Sequence, residues 1–434
     1  MTHPAKPARI QRHVVAVSYF HPPFPGAGGN RWQAMAHYLG EMGYRVTIIA
    51  CDAWGALPDD PVLGVRRVRD LRSVESLRRL LQRGKLPNAS SQPWVVEKPP
   101  TALLTRVVPP DLHAVSWVPG ALREVSRLMR TDPADCLVTT GPPASVHLLG
   151  LGLRTRRPAW VADFRDGWRF HDARKPFPTA VQRWLDIALE RRVAAQAEMV
   201  VGATVPIAAD LTARLGAHSV CVENGWDPRV KPAGTAPAPA TRIPGETLLV
   251  ITGNLSGPFG RDPEPLLHAL RRLRSDPVGS RIRVVHAGRL TEQERELITR
   301  SGVGDALQHI GTVPRTEAIA LQREADALIL HTSRNSSEAT SKIFEYLSAS
   351  RPIVALAEGN EAARIVSETG AGITVAPDDV EAIAAALRQA ATGELAAAYS
   401  PHGVERYTYP APAESMAAVI EAAIRKRGDG LGRA

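Results

Sequence analysis

The stretch ALILHTSRNSSEATSKIFEYLSASRPIVAL, residues 327–356, contains the pattern that decides the fold. It begins with a short apolar run, passes through a small polar loop, continues as an amphipathic helical pattern over 341–349 and ends in a second apolar run. Short runs with little polar alternation are typical of parallel strands that are buried on both faces. The stretch therefore predicts a strand–helix–strand unit of a parallel sheet.

The same alternation extends along the rest of the chain. Apolar runs before the middle of the chain are HVVAVSY, YRVTIIA, DCLVTT, AWVADF and MVVGAT, and those after it are TLLVITG, IRVVHAG, ALILHT, PIVALAE and AGITVA. Helical patterns are found at 31–42, 263–274, 291–300, 341–349 and 380–391. Strands and helices that alternate in this way predict an α/β protein with doubly wound, Rossmann-like parallel sheets.

A Pro/Ala-rich segment, RVKPAGTAPAPATRIPG at 229–245, interrupts the alternation and predicts a semi-rigid linker. We therefore expect an N-terminal domain over 1–228 and a C-terminal domain over 246–400. The remaining segment, 401–434, is expected to form a helix over 412–427 that packs back on the N-terminal domain, followed by a basic tail. Ligands of open α/β sheets bind beyond the strand C-termini, so two such domains predict a cleft, with independent tandem domains as the alternative.

The composition is that of a globular protein with an excess of arginine. The chain has 434 residues, 44% hydrophobic and 22% charged, which excludes disordered and collagenous classes. Its 53 basic residues against 44 acidic ones give a net charge of +9, and seven of the 53 are lysines, which leaves 46 arginines. The densest basic stretch, 66–85, predicts an amphipathic helix with a solvated arginine face. An anionic membrane surface is the main alternative, and the absence of nucleic-acid-binding motifs argues against nucleic acid.

The cysteine and hydropathy patterns predict a cytoplasmic protein. Cys51, Cys136 and Cys221 lie in or beside apolar runs, as reduced and buried thiols do. The sequence has no run of 18 apolar residues, and no apolar signal core follows the N-terminal charges. It also contains no Asp-x-Asp and no zinc-like cysteine spacing, so we expect no metal site.

The segment HPPFPGAGGNRWQAMAHYL, residues 21–39, joins a strand to a helix through a Pro/Gly loop. Gly28 and Gly29 allow close backbone approach, and the free N–H groups at a helix start favour an anion. The alternative is a tight turn that binds no ligand.

The segment ADFRDGWRFHD, residues 162–172, places three charged residues at the end of a buried strand. Asp163, Arg165 and Asp166 would lie at the sheet edge where ligands bind in α/β proteins. The alternative is a structural Arg–Asp ion pair.

The segment ITGNLSGPFGRDPEPLLHAL, residues 251–270, again leads from a strand through a glycine-rich loop into a helix. Gly253 and Asn254 begin this loop, and the Arg261 guanidinium could donate to phosphate oxygens. A glycine-rich turn with an exposed arginine is the alternative.

In the opening stretch, hydroxyl groups and a rare lysine surround the predicted helix start. The hydroxyl and N–H groups of Ser337, Thr340 and Ser341 lie where an anion would bind. Lys342 is one of few lysines, and its charge is unfavourable at a helix N-terminus unless a ligand phosphate offsets it. Glu345 follows three residues later and could accept hydrogen bonds from ribose hydroxyls. A surface salt bridge between Lys342 and Glu345 is the alternative.

Together with TTGPPASVHLLG (139–150), VENGWDP (222–228) and HIGTVPRTEAIALQREADALIL (309–330), these motifs resemble the GT-B glycosyltransferases, specifically the retaining family 4. The resemblance covers nearly the whole chain, and SKIFEYLSASRPIVAL is similar to the signature helix of that family. It implies a GT-B fold with two Rossmann-like domains that face a cleft. It also implies transfer of a sugar, of hexosyl type, from a nucleotide diphosphate to an acceptor hydroxyl with retention of configuration.

The resemblance also implies roles for particular residues. It places Arg261 and Lys342 on the donor diphosphate, where they would replace a metal ion, and leaves Arg165 or Asp166 to orient the acceptor. The residues it places around the donor are Gly28, Gly29, Gly253, Asn254, Gly311, Thr312, Val313, Ser337, Thr340, Ser341, Ile343 and Glu345. Among these, Glu345 would bind the ribose, and the backbone of 311–313 would contact the base.

Two positions depart from the family pattern. Many members have two glutamates eight positions apart, whereas Ser337 stands eight before Glu345 and Glu338 is one position out of register. Many members also have His-Asp where this chain has Arg165-Asp166. The donor sugar therefore does not follow from the resemblance.

The sequence-based expectation is a cytoplasmic glycosyltransferase that takes a UDP-sugar as co-substrate and needs no cofactor or metal. Its acceptor would be a sugar, a lipid-linked intermediate or a natural product, in polysaccharide, glycolipid or natural-product biosynthesis. Peripheral contact with an anionic membrane fits the basic stretch, and no nucleic acid is expected as a partner. The alternatives are a nucleotide-sugar epimerase of the same fold and a non-catalytic nucleotide-sugar-binding protein.

Overall fold

The computed structural model describes residues 12–24, 27–53, 64–71, 107–170, 176–234, 243–256, 261–333, 337 and 339–431. The chain divides into two compact units. Unit 1 consists of Met1–Glu223 and Pro412–Ala434, and unit 2 consists of Asn224–Ala411. The change of unit at residue 223 falls a few residues before the Pro/Ala-rich segment, of which 235–242 lie outside the described residues.

Unit 1 is built on a seven-stranded parallel sheet of order β3-β2-β1-β4-β5-β6-β7. Its strands are β1 His13–Ser18, β2 Arg45–Cys51, β3 Gly64–Val68, β4 Cys136–Gly141, β5 Ala159–Phe164, β6 Met199–Gly202 and β7 Ser219–Cys221. Its helices are α1 Asn30–Glu41, α2 His113–Ser116, α3 Val118–Thr131, α4 Leu148–Leu153, α5 Ala180–Gln196 and α6 Val205–Leu215. Every residue of β1, β4 and β5 is buried, as the unbroken apolar runs predict for strands covered on both faces.

The last helix, α14 Ala411–Leu431, belongs almost entirely to unit 1. The Tyr44 hydroxyl donates to Glu421 Oε1 at 3.0 Å, and Lys426 Nζ donates to the Glu198 carbonyl at 2.9 Å. These contacts attach the C-terminal helix to the unit that contains the start of the chain.

Unit 2 is built on a six-stranded parallel sheet of order β10-β9-β8-β11-β12-β13. Its strands are β8 Thr247–Thr252, β9 Ile282–Ala287, β10 Leu307–His309, β11 Ala327–His331, β12 Ile353–Leu356 and β13 Gly372–Val375. Its helices are α7 Glu264–Leu273, α8 Glu292–Ser301, α9 Arg315–Glu324, α10 Ser341–Ala349, α11 Glu361–Glu368, α12 Val380–Thr392 and α13 Glu394–Ala398.

The 327–356 stretch forms β11, α10 and β12, and β11 pairs with β12 in the register Leu328↔Ile353. The strand–helix–strand prediction and the α/β, doubly wound fold class are confirmed. Parallel neighbours place their C-terminal ends at one edge of the sheet, so the loops that leave β8, β9 and β11 open at the same edge.

The prediction of a helix over 66–85 is wrong at its start. Residues 64–68 form the edge strand β3, which pairs in parallel with β2, and 72–85 lie outside the described residues. Arg66 bonds Glu124 at 3.0 Å and Arg67 bonds the Cys51 carbonyl at 3.1 Å. Arginines on an edge strand remain partly solvated and find local partners, so their density alone does not indicate a helix.

The described residues include no helix that combines the length and apolar character needed to cross a bilayer. They also contain no group of three or more His, Cys, Asp or Glu side chains arranged to hold a metal ion. The three cysteines are free thiols, of which Cys51 and Cys136 are buried.

Candidate functional site

The candidate site in unit 2 is built around the start of α10. Thr340 precedes the helix in an extended conformation but makes no side-chain cap hydrogen bond. Its Oγ1 atom is buried and has no hydrogen-bond partner among the residues that the structure describes. The first N–H groups of any helix lack partners within the helix, so a buried hydroxyl and backbone donors converge at Thr340, Ser341 and Lys342. This arrangement suits a bound anion.

Glu345 lies one turn into α10, with its carboxylate enclosed by two cations. Lys342 Nζ donates to Glu345 Oε2 at 2.7 Å, and Arg315 Nε donates to Oε1 at 2.9 Å. Burial by itself raises the pKa of this carboxyl, but the charges of Lys342 and Arg315 and their hydrogen bonds outweigh burial, so the net pKa is lowered. The Lys342–Glu345 pair does form, but its acid is 7% exposed, so it is not an ordinary surface salt bridge.

The floor of the site is the end of β8. Gly253 has a φ of +103°, which favours glycine, and a Cβ built on it would lie 3.5 Å from Lys342 Cε. On the preceding residue, the Thr252 N–H donates to the Tyr346 hydroxyl at 2.9 Å. The lysine side chain therefore extends across the glycine on which the loop turns.

The loop between β8 and α7 is described at its two ends. Asn254 is exposed, and its carbonyl accepts a hydrogen bond from Arg261 Nη1 at 3.5 Å. Arg261 also lies near His331, whose pKa falls to about 4, first because of burial and then because of the Arg261 charge. His331 donates from Nδ1 to the Leu255 carbonyl at 3.0 Å, so it is held as a neutral ring at the end of β11.

The other predicted donor residues of unit 2 lie on the same sheet edge. Gly311 has a φ of +77° and leads from β10 into an exposed Thr312 and a partly buried Val313. Ser337 is buried in the loop before α10. The Ile343 side chain lies in the core, and its N–H donates to the Thr340 carbonyl at 3.1 Å, so this residue supports the helix and presents no free group.

In unit 1, Asp163 is part of a buried ion pair. Arg31 Nη2 lies 3.2 Å from Asp163 Oδ1, and Trp32 Nε1 donates to Oδ2 at 2.9 Å. Arg31 also donates to the carbonyls of Val222 and Glu223 at 2.8 and 3.0 Å. Burial raises the pKa of Asp163, but the Arg31 charge and the hydrogen bonds outweigh it and lower the net pKa. The structural ion pair foreseen as an alternative is present, with Arg31 as the partner.

Arg165 connects two loops of unit 1 by donating to backbone carbonyls. Nε donates to the Gly141 carbonyl at 3.1 Å, Nη2 donates to the Pro142 carbonyl at 3.0 Å, and Nη1 donates to the Gly28 carbonyl. Burial lowers the pKa of this guanidinium. Arg165 thus positions the Gly28 loop, whereas Asp166 beside it is exposed.

The close packing of the 21–39 loop explains its glycines. A Cβ at Gly29 would lie 2.9 Å from Pro22 Cδ, and one at Gly28 would lie 3.1 Å from Arg165 Nη1. The conformation of the loop therefore depends on the absence of side chains at these two positions.

Two residues of the unit 2 site, Arg315 and Gln322, were missed by the sequence-based prediction. Arg315 bonds Glu345, and its guanidinium lies 5.7 Å from the ring centroid of Trp226 in the VENGWDP turn. Gln322 donates to Thr252 Oγ1 at 2.9 Å. Arg315 and Gln322 lie on α9 seven residues apart, which is two helical turns, so a common face was the signal that could have identified them.

Comparison with known proteins agrees with this geometry. A family model described as glycosyl transferases group 1 matches residues 246–392, which covers most of unit 2 and the whole candidate site there. No curated protein matches the chain in sequence.

Solved structures show the same fold across both units. Sucrose-phosphate synthase from Thermosynechococcus elongatus is 15% identical with a TM-score of 0.65, over 95% of this chain and 98% of that chain. HepE from Anabaena, solved with UDP-glucose, is 13% identical with a TM-score of 0.55, over 97% and 100% of the two chains. A putative UDP-N-acetylglucosamine 2-epimerase from Listeria monocytogenes is 11% identical with a TM-score of 0.55, over 96% and 97%.

The two parallel-sheet α/β units and these neighbours define the GT-B fold. The family match over unit 2 and the GT-B fold together support a GT-B glycosyltransferase.

Proposed function

We propose that the protein is a glycosyltransferase that moves a sugar from a nucleoside diphosphate to an acceptor hydroxyl. The observation that carries the proposal is the start of α10, where a buried, unpartnered Thr340 hydroxyl and the first helical N–H groups adjoin Lys342. Lys342 is held by Glu345 at 2.7 Å. A diphosphate at this position would meet oriented donors and a positive charge. Ribose hydroxyls would donate to Glu345 oxygens that already accept from Lys342 and Arg315.

In the reaction, the bond between the anomeric carbon and the diphosphate breaks and negative charge develops on the leaving phosphate. Lys342, Arg261 and the α10 N-terminus would stabilise this charge, and such preorganised electrostatics is typically a major part of catalysis. The same groups provide the charge that a metal would supply in other glycosyltransferases, so we propose a metal-independent reaction. We also propose that the reaction retains the anomeric configuration and that the protein belongs to family 4. Both proposals rest on the resemblance of the sequence motifs.

We propose UDP as the nucleotide and a hexosyl group as the sugar. HepE and the Escherichia coli protein solved with UDP-2-fluoro glucose share the fold, and their structures contain UDP-sugars. The acceptor would be a hydroxyl group of a sugar, a lipid-linked intermediate or a natural product. We propose that unit 1 binds it, where Arg165 holds the Gly28 loop. The proposed role is in polysaccharide, glycolipid or natural-product biosynthesis in the cytoplasm.

Peripheral contact with an anionic membrane is also proposed. The basic stretch that suggested it lies outside the described residues from 72 onward, and α5 offers a second candidate surface. Val181 and Trp184 are 73% and 67% exposed on this helix, and the Arg191 and Arg192 side chains are exposed farther along it. Exposed aromatic and arginine side chains favour the interface of an anionic bilayer. Flotation with anionic vesicles should recover the protein and V181S/W184S should lose this binding, whereas equal binding to neutral vesicles would contradict the charge contribution.

The direct test of the proposed function is to incubate the protein with UDP-, GDP- and TDP-sugars and measure the shift in melting temperature. We expect stabilisation by a uridine nucleotide, since a ligand that binds only the folded state raises its stability. Sugar transfer to an acceptor distinguishes the transferase from a non-catalytic binding protein. A released, epimerised UDP-sugar would favour the epimerase, and no stabilisation by any nucleotide would contradict all three.

A further inference from the structure

Two histidines lie edge to edge behind the floor of the proposed donor site, and the function described so far does not use them. His286 is the penultimate residue of β9 and is fully buried, and His309 is the last residue of β10. Their ring centroids are 5.1 Å apart with an angle of 24° between the planes. The two Nδ1 atoms lie 3.0 Å apart, which is hydrogen-bond distance.

The hydrogen-bond partners assign the tautomers. His286 Nε2 lies 2.7 Å from the Gly253 carbonyl oxygen, which can only accept, so Nε2 carries the hydrogen. The Nδ1 of neutral His286 is then an acceptor, and the contact between the rings requires the hydrogen on His309 Nδ1. Hydrogen bonds therefore run in one direction, from His309 to His286 to Gly253.

This chain of hydrogen bonds ends on the glycine that supports Lys342. The Gly253 carbonyl is closely enclosed, because a Cβ at Gly288 would lie 2.0 Å from its oxygen. The Gly253 N–H donates to the Ala287 carbonyl at 2.8 Å, and the Gly288 N–H donates to the Gly311 carbonyl at 2.9 Å. The peptide that follows Gly253 is thus held on one side by a histidine and connected through β9 to the Gly311 loop.

Burial keeps both rings neutral, and the charges around them have smaller effects. Burial is the largest cause that lowers the pKa of His286 and of His309. The Arg295 charge lowers the pKa of His309 further, and Glu294 opposes this. A proton added to His286 Nδ1 would face the N–H of His309, so only a neutral His286 can complete the chain.

Resting on the proposed function, we propose that His286 and His309 are positioning residues that fix the Gly253 carbonyl and thereby the loop beneath the donor diphosphate. His286 orients the peptide, and His309 selects the tautomer of His286. In this proposal the pair acts through Gly253 and Lys342 and not by contact with the donor.

Two variants of His286 test the pair, because both introduce a side-chain amide but place its nitrogen at different positions. The amide nitrogen of glutamine can reach the position of Nε2, whereas that of asparagine is confined to the position of Nδ1. We expect His286→Gln to bind UDP within about threefold of the wild type, and His286→Asn to lose at least about tenfold in affinity. Equal UDP affinity of the two variants, at matched melting temperatures, would overturn the proposal.

The tautomers can be read directly from two-bond ¹H–¹⁵N correlation spectra of the full chain without nucleotide. The expected spectrum shows the hydrogen on Nε2 of His286 and on Nδ1 of His309. In His309→Leu, the His286 ring should no longer be confined to the Nε2–H tautomer. The opposite tautomers would overturn the hydrogen-bond chain. Failure of the wild type to bind any nucleotide would instead overturn the donor site, and the positioning role with it, even if the tautomers were as assigned.

Discussion

Glu345 is an acid buried between two cations, and this arrangement determines how its neighbourhood responds to substitution. Removal of one partner from a buried ion pair typically costs about 3–5 kcal/mol, because the remaining charge is left without compensation. Lys342 and Arg315 both contact the carboxylate, at 2.7 and 2.9 Å. Glu345 therefore both stabilises unit 2 and holds Lys342 at the start of α10.

The first prediction concerns the pH dependence of this stabilisation. The pKa of Glu345 is lowered from its ordinary value of 4.5, so its stabilising effect is complete above that value and is lost as pH falls through the folded-state pKa. The melting temperature of Glu345→Gln should lie below that of the wild type by a constant amount between about pH 8 and about pH 5, and the difference should shrink in stronger acid. A difference that shrinks already between about pH 7 and about pH 6 would show that the carboxyl is not held ionised.

The second prediction concerns the Thr340 hydroxyl. Because its Oγ1 makes no hydrogen bond in the described structure, Thr340→Val should leave the melting temperature unchanged or raise it. UDP affinity should nevertheless fall about tenfold, since a donor to the phosphate is removed. Thr340→Ser keeps the hydroxyl and is the matched control. Unchanged UDP affinity in Thr340→Val, measured by calorimetry, would remove this residue from the site.

At the scale of elements, Arg165 joins the loops that follow β1 and β4. Its planar guanidinium reaches three carbonyls at once, and lysine cannot reproduce this geometry. Because the residue lies in unit 1, its effect should fall mainly on the acceptor side and on transfer, with a smaller effect on the nucleotide through Gly28, which the resemblance also places beside the donor.

The third prediction is that Arg165→Lys lowers kcat of sugar transfer by about tenfold to a hundredfold, because a displaced loop misorients the reacting groups. The Kd for UDP should rise by less than about threefold, because the donors of unit 2 stay in place. Arg183→Lys is the matched control, since Arg183 also donates to two carbonyls, those of Phe177 and Pro178, but lies exposed on α5. A loss of UDP affinity in Arg165→Lys as large as the loss of kcat would contradict this division of roles.

Whether a strand could be predicted from the sequence depended on its length. The apolar runs of four or more residues form strands as expected, whereas β7 and β10 have three residues each and are too short to give a pattern. The edge strand β3 was mistaken for the start of a helix, because its arginines mask an apolar pattern. Strand pairing along the sheet edge, which defines β3, is tertiary information that a local pattern does not contain.

The same limit applies to the site. Lys342 and Glu345 could be predicted because they lie within one helical turn. Arg315 reaches Glu345, and His286 reaches Gly253, only through the order of the strands, since these partners are 30 and 33 residues apart in sequence. Asp163 was recognised as important, but its partner Arg31 is 132 residues distant, so the sequence left its role open between ligand binding and an ion pair.

Across the whole protein, the proposed roles fall to different units, with the nucleotide bound by unit 2 and the acceptor by unit 1. The fourth prediction follows from the proposed absence of a metal. UDP should raise the melting temperature of the full chain equally with and without a chelator, because Lys342, Arg261 and helix N–H groups supply the interactions. Stabilisation that disappears in the chelator would show that a divalent cation takes part.

The central claim is that the α10 N-terminus of unit 2 binds a nucleoside diphosphate. Calorimetric titration of UDP into the wild type, Lys342→Ala and Lys231→Ala tests it most directly, since Lys231 is an exposed lysine of the same unit. We expect saturable binding to the wild type and to Lys231→Ala, with affinity reduced at least about tenfold in Lys342→Ala. Equal affinity of all three proteins, or no binding to the wild type, would contradict it.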